Sequence, residues 1–114
     1  MKIFISGAIS KYLGSEEGEA FVINRFGAVE QFLRSRNPDC EVFNPISLTK
    51  TLGWNATHEE YMKECIKELR SSDICYFMYD WYTSKGSRME FELAEQLGLK
   101  VIMETSNLTP NFEA

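Results

Sequence analysis

Seven consecutive residues, Ser84-Lys85-Gly86-Ser87-Arg88-Met89-Glu90, hold the densest chemistry in this 114-residue chain. They lie between an apolar run, Ile74 to Met78, and a segment whose apolar residues recur at helical spacing. Small residues at a helix start suit a phosphate or other anion, because the first N–H groups of a helix have no intrahelical partner and sit at the positive end of its dipole. Gly86 would let a ligand approach the backbone closely, and Ser84 and Ser87 would add hydroxyl donors. Glu90 shares the i, i+3, i+4, i+7 face with Leu93, Ala94 and Leu97, the face that should pack on a sheet. One turn into the helix, its carboxylate would emerge at the edge of the fold. There the helix N-terminus favours the ionised form, which suits a nucleophile more than a general acid. The same spacing has a plainer explanation, since Ser87-x-x-Glu90 is also a capping box. On spacing alone both stay open.

The elements that must position these residues follow from punctuation and periodicity. Lys2 to Ser6 is a short apolar strand that runs into Gly7. Ser10 to Gly18 reads as loop. From about Glu19 to Arg36, Val22, Phe26, Val29 and Phe32/Leu33 form a helical stripe that Asn37-Pro38 stops. Glu41 to Phe43 is a short strand closed by Asn44-Pro45, and residues 46 to 57 read as a longer loop or broken helical turn. Thr57-His58-Glu59-Glu60 has the form of a capping box, and the helix it starts carries Met62, Cys65, Ile66 and Leu69 on one face before ending near Ser71. Ile74 to Met78 suits a central parallel strand buried on both faces. A helix follows from about Ser87 to Leu97 with Gly98 as its cap, then a strand from Lys100 to Met103. Residues 104 to 114 are a polar tail.

This alternation predicts a single α/β domain over residues 1–114: three layers with a short parallel sheet of four to five strands, flavodoxin-like or Rossmann-like. In such folds ligands bind beyond the carboxyl ends of the strands. The loops at Gly7-Ala8-Ile9-Ser10, Asn44-Pro45 and 80–87 should therefore share one edge. Gly7 is either a tight turn or a point where ligand meets backbone. Trp81 and Tyr82 either stack on a base or ribose or simply pack. Asp73 reads as a loop or cap residue at the far edge, and His58 as a solvent-facing first-turn residue.

Composition narrows the functional classes. A formal net charge of −5 argues against sequence-independent binding to a nucleic-acid backbone, though not against a small anionic ligand held locally. Three cysteines without C-x-x-C spacing and one histidine suggest neither a disulfide framework nor a metal site. The opening apolar run is too short for a signal peptide and no segment is long enough to span a bilayer, so a reduced cytosolic setting is the default. A phospho-acceptor receiver domain would need acidic residues at the end of the first strand, where Ser6-Gly7-Ala8-Ile9 has none.

Three blocks, Ile3-Phe4-Ile5-Ser6-Gly7-Ala8-Ile9, then Ser72-Asp73-Ile74, then Ser84-x-Gly86-x-x-x-Glu90-x-x-Leu93-Ala94, occur in order along nearly the whole chain. Together they resemble the nucleoside 2-deoxyribosyltransferase-like superfamily, in a branch of small uncharacterised bacterial and phage proteins. The resemblance implies that Glu90 is a nucleophile attacking C1′ of a 2′-deoxyribose and displacing the base. Water or a second base then resolves the glycosyl ester, the two-step retaining logic of glycosyl transfer. It also implies that Gly7, Ala8, Ile9, Ser84, Gly86 and Ser87 bind substrate. Ser84, matching a phosphate-contacting serine, tilts the substrate toward a nucleotide over a nucleoside. No cofactor or metal is called for, and a homo-oligomer is implied because relatives complete their sites from a neighbouring subunit; the tail around Ser106 and Asn107 would reach such a neighbour. One position departs from the pattern. Cys65 stands where relatives carry a second Asp, and a neutral thiol does not replace a carboxyl group. Glu64 or Glu68 are the candidates to substitute, and a non-catalytic nucleotide-binding module with the same crevice is the alternative.

Overall fold

A computed structural model describes residues 1–104 of the chain. Strand β1 spans Lys2–Ser6, helix α1 Glu16–Arg36, β2 Glu41–Phe43, the single turn α2 Thr49–Leu52, α3 His58–Arg70, β3 Ile74–Phe77, α4 Lys85–Leu97 and β4 Lys100–Met103. Four strands, all parallel, form one sheet in the order β2-β1-β3-β4. This is the flavodoxin-like order with one strand fewer, and the topological switch point falls between β1 and β3. Beyond Ser6 and Phe77, paired at the carboxyl ends of those two strands, a crevice must open.

Period-2 alternation sorts the strand residues into two cores. Ile3 and Ile5 of β1, with Ile74 and Tyr76 of β3, pack against Val22, Phe26, Val29 and Leu33 of α1. Phe4, Cys75 and Phe77 point the other way, onto Cys65 and Leu69 of α3 and Ala94 of α4. The domain is thus three-layered, with α1 on one face and α3 and α4 on the other. By the same alternation Ser6 lies on the α4 side of β1, two residues after Phe4.

Local chemistry sets the helix ends. The Thr57 hydroxyl accepts from the Glu60 N–H while the Glu60 carboxylate accepts from the Thr57 N–H, the reciprocal box the sequence announces. Gly98 closes α4 at φ 74°, ψ 25°, a left-handed cap that costs glycine little. Helix α1 begins three residues earlier than its apolar stripe implies, because Ser15 caps it by accepting from Gly18 N–H and three glutamates follow in the first turn. Leu97, expected on the sheet-facing side, is instead 39% exposed in the last turn of α4. Glu104 belongs to the fold and not to a free tail: its carboxylate accepts from the Tyr79 N–H and the Tyr76 hydroxyl. Ser106 and Asn107 lie outside the described residues. Among the described residues no helix is long and apolar enough to cross a membrane.

Candidate functional site

The start of α4 decides what Glu90 can do. Ser84, in extended conformation, is the N-cap, and its hydroxyl oxygen accepts from the Ser87 N–H at 3.2 Å. The helix therefore opens at Lys85, two residues ahead of the sequence expectation. Ser87 is inside it, and the Ser87–Glu90 capping box does not form. Ser84 wins the cap because Ser87 is occupied elsewhere. Ser87 and Glu90 are both buried and meet Ser6 across the α4–β1 interface: Ser6 Oγ lies 2.6 Å from Glu90 Oε1 and 2.9 Å from Ser87 Oγ.

Each hydroxyl has one hydrogen to give. With Glu90 ionised, Ser6 donates to the carboxylate and accepts from Ser87, so the chain of donors runs Ser87, Ser6, Glu90. Ser87 then has no hydrogen left for an anion, whereas Ser84 keeps its own.

Burial works against the charge on Glu90. It pushes the carboxyl up to about 7, with the hydrogen bonds from Ser6 and the Cys65 thiol opposing the rise. The helix N-terminus was expected to favour the ionised form; here desolvation outweighs it, because Glu90 sits in the second turn and not the first. The Cys65 thiol is itself driven strongly upward by burial and by the neighbouring Glu90 charge, so it is a neutral donor and not a thiolate.

These groups line a cavity of about 190 Å³ at the carboxyl end of the sheet. A single water needs only roughly 10–15 Å³, so the space suits a small molecule. Gly7, Ile9 and Ser10 after β1 form one wall, and Pro45, Ile46 and Trp54 after β2 form the second. The third comes from His58, Met62 and Cys65 of α3 with Ser84, Gly86, Ser87 and Glu90 of α4. Among the described residues Glu90 is the one carboxylate in the lining.

Of the residues singled out from the sequence, Gly7, Ile9, Ser84, Gly86, Ser87 and Glu90 thus come together. Ala8 does not: it is buried and outside the lining. Both glycines also have packing reasons. A Cβ on Gly7 would stand 2.8 Å from Met78 Sδ and 3.1 Å from Phe26 Cζ, and one on Gly86 would stand 3.0 Å from Met62 Sδ. Trp81 packs, stacked on Phe91 at 4.9 Å and tilted against Phe77 at 5.3 Å, and neither it nor Tyr82 reaches the cavity. His58 is exposed, as expected, but stands at the cavity mouth. Neither acid proposed to replace the missing carboxylate lines the cavity, and Glu68 is held by the Lys2 ammonium. Asp73 accepts from the Lys2 backbone N–H at the opposite end of the sheet, a scaffold role.

Two features had no legible signal. Trp54, from the stretch of the chain that periodicity could not resolve, and Tyr61, in the first turn of α3, supply the cavity's aromatic surface. Tyr61 donates to the Gly53 carbonyl and so ties that stretch to α3. The other is Asp80, buried just past β3 and gripped by both Arg25 guanidinium nitrogens at 2.8 and 2.9 Å and by the Tyr12 hydroxyl at 2.8 Å. Burial disfavours its charge, yet these hydrogen bonds hold the Asp80 carboxyl below the usual carboxylate range. The group fastens the β3 exit loop to α1, beside the cavity and not in it.

A family described as "Domain of unknown function (DUF4406)" matches residues 1–103, and the chain belongs to it. Comparison with curated proteins finds no match.

Proposed function

We propose that the protein is a remote relative of the nucleoside 2-deoxyribosyltransferases that cleaves or transfers the N-glycosidic bond of a (deoxy)nucleotide or nucleoside. Glu90 attacks C1′, forming a C1′–O ester as the C1′–N bond breaks and the base departs; water or a second base then resolves the ester. One observation carries the reading: the one carboxylate that the described residues bring to the cavity is buried, held at one oxygen by Ser6, and faces a space of small-molecule size. A carboxyl near 7 is ionised in a large fraction of molecules at neutral pH and is poorly solvated, as an attacking oxygen should be. Trp54, Ile46 and Ile9 offer apolar surface to base and sugar. The free hydroxyl hydrogen of Ser84 and the first amides of α4 would hold the 5′ end. Three free cysteines suit a reducing, cytoplasmic setting.

A second reading has a specific basis. Cys65 leaves the cavity without a second carboxylate, which favours a nucleotide-binding module that does not turn over. Incubation with a panel of deoxynucleosides and their 5′-monophosphates, with chromatography for free base, separates the two. Base release that vanishes in Glu90→Gln supports the enzyme. Saturable binding without release from any substrate refutes it in favour of the module.

A further inference from the structure

The outward side of α1 is unlike the rest of the surface. From Ala20 to Val29 the only charged residue is Arg25, which is turned inward onto Asp80. The exposed positions are Ala20, Phe21, Ile23, Asn24 and Ala28, and Phe21 and Ile23 keep 47% and 43% of their surface in water. Three turns of exposed helix without a free charge, in a chain that is 25% charged, have the charge-depleted, apolar character of an interface centre. Gly27 adds an independent sign. It weakens the middle of a 21-residue helix, yet a Cβ there would meet nothing within 4 Å among the described residues. Gly7 and Gly86 are explained by internal packing; Gly27 is not.

Beside this face runs a groove of about 740 Å³, between α1 (Phe21, Ala28, Phe32) and the β3–β4 side of the sheet (Tyr76, Tyr79, Glu104). It exists because α1 is the one long helix on this side of the sheet, while α3 and α4 share the other. The charges at the two ends of α1 select the occupant. Its first turn holds Glu16, Glu17 and Glu19, and its last turn holds Arg34 and Arg36. A second α1 laid antiparallel would set acidic against basic turns at both ends, with Asn24, Gly27 and Ala28 at the closest approach. A two-fold axis requires this kind of self-complementarity.

We propose that the outer face of α1 is the dimer interface of this protein, formed by antiparallel contact with α1 of a second copy. None of the face residues named above lines the cavity, so the inference stands apart from the glycosidic reading. Light scattering of the full chain across micromolar concentrations tests it, together with Gly27→Lys. The substitution meets no atom of the described residues and replaces glycine with a better helix former, so the variant should still fold, as circular dichroism would read. At the interface it sets two like charges against each other and should weaken the dimer by at least about a hundredfold. Ala20→Arg, exposed on the same face, gives the same readout should Gly27→Lys fail to fold. Conversion of a wild-type dimer to folded monomer supports the proposal. A wild-type chain that stays monomeric, or a dimer indifferent to the folded variants, overturns it.

Discussion

Glu90→Gln should make the protein more stable at pH 8 while abolishing the proposed base release. Burial raises the carboxyl from an ordinary 4.5 to about 7, so between those values the folded chain binds a proton that the unfolded chain releases. Stability therefore falls as pH rises from 4.5 to 7 and levels off above it. At about 1.4 kcal/mol per pH unit the loss is about 3 kcal/mol, a large part of what a domain of this size has. Gln is neutral at every pH and its amide oxygen still accepts from Ser6, so the variant escapes most of the loss. Urea unfolding followed by tryptophan fluorescence at pH 4.5, 6 and 8 reads this directly. With m near 1–3 kcal/mol/M for small proteins, the variant's midpoint should exceed wild type by about 1 M or more at pH 8 and nearly coincide with it at pH 4.5. A variant less stable than wild type at pH 8, or an offset that does not change with pH, would refute the reasoning. Either result would mean that the Ser87–Ser6 chain stabilises the charge more than burial penalises it.

Other perturbations follow from the same contacts. Asp80→Asn leaves the Arg25 charge buried without its partner and should cost about 3–5 kcal/mol by chemical denaturation. Because the folded Asp80 carboxyl lies below its ordinary value, the wild-type protein holds this contribution at neutral pH and loses it as pH falls below about 4. Ser84→Ala removes the α4 cap and should cost about 1 kcal/mol in thermal unfolding, whereas Ser87→Ala leaves that cap intact and so should cost no capping energy. Gly7→Ala drives a methyl against Met78 and Phe26 and should cost about 1–3 kcal/mol by the same measurement. Cys65→Asp sets a second carboxyl beside Glu90, so the pH midpoint for Glu90-dependent base release should move up from about 7.

How much was legible in the sequence depended on whether a signal was local. The four strands, the Thr57 box and the Gly98 cap rest on residues within one turn or one strand of each other, and they stand where the spacing put them. The start of α4 was misjudged because two serines three residues apart both satisfy a capping pattern. Which one caps depends on Ser6, 81 residues upstream in the chain, engaging Ser87. Asp80 carried no signal because its partners, Tyr12 and Arg25, lie far from it in the chain and belong to no motif. Trp54 comes from a stretch of 3-10 turn, single helical turn and bend whose apolar residues follow no single period, and Tyr61 of α3 is turned toward that stretch and donates to the Gly53 carbonyl. Ala8 shows the limit of reasoning by neighbourhood: adjacent residues in a strand exit point to opposite sides, so the flanking Gly7 and Ile9 reach the cavity and Ala8 does not.

The neutral thiol at Cys65 and the raised carboxyl of Glu90 belong to one electrostatic arrangement. A second carboxylate in that place would repel the first, and burial has already moved Glu90 to about 7. A further rise would leave little of it ionised at neutral pH. With a thiol that donates weakly and carries no charge, Glu90 stays poised near neutral pH, as the proposed reaction requires. The corresponding loss falls on the leaving group, since among the lining residues no second acid stands ready to protonate a departing base. In the proposed reaction that task passes to solvent or to His58 at the mouth, which favours bases that leave without full protonation. The order of release rates across the substrate panel, good leaving groups first, is therefore the kinetic signature of a one-carboxylate site.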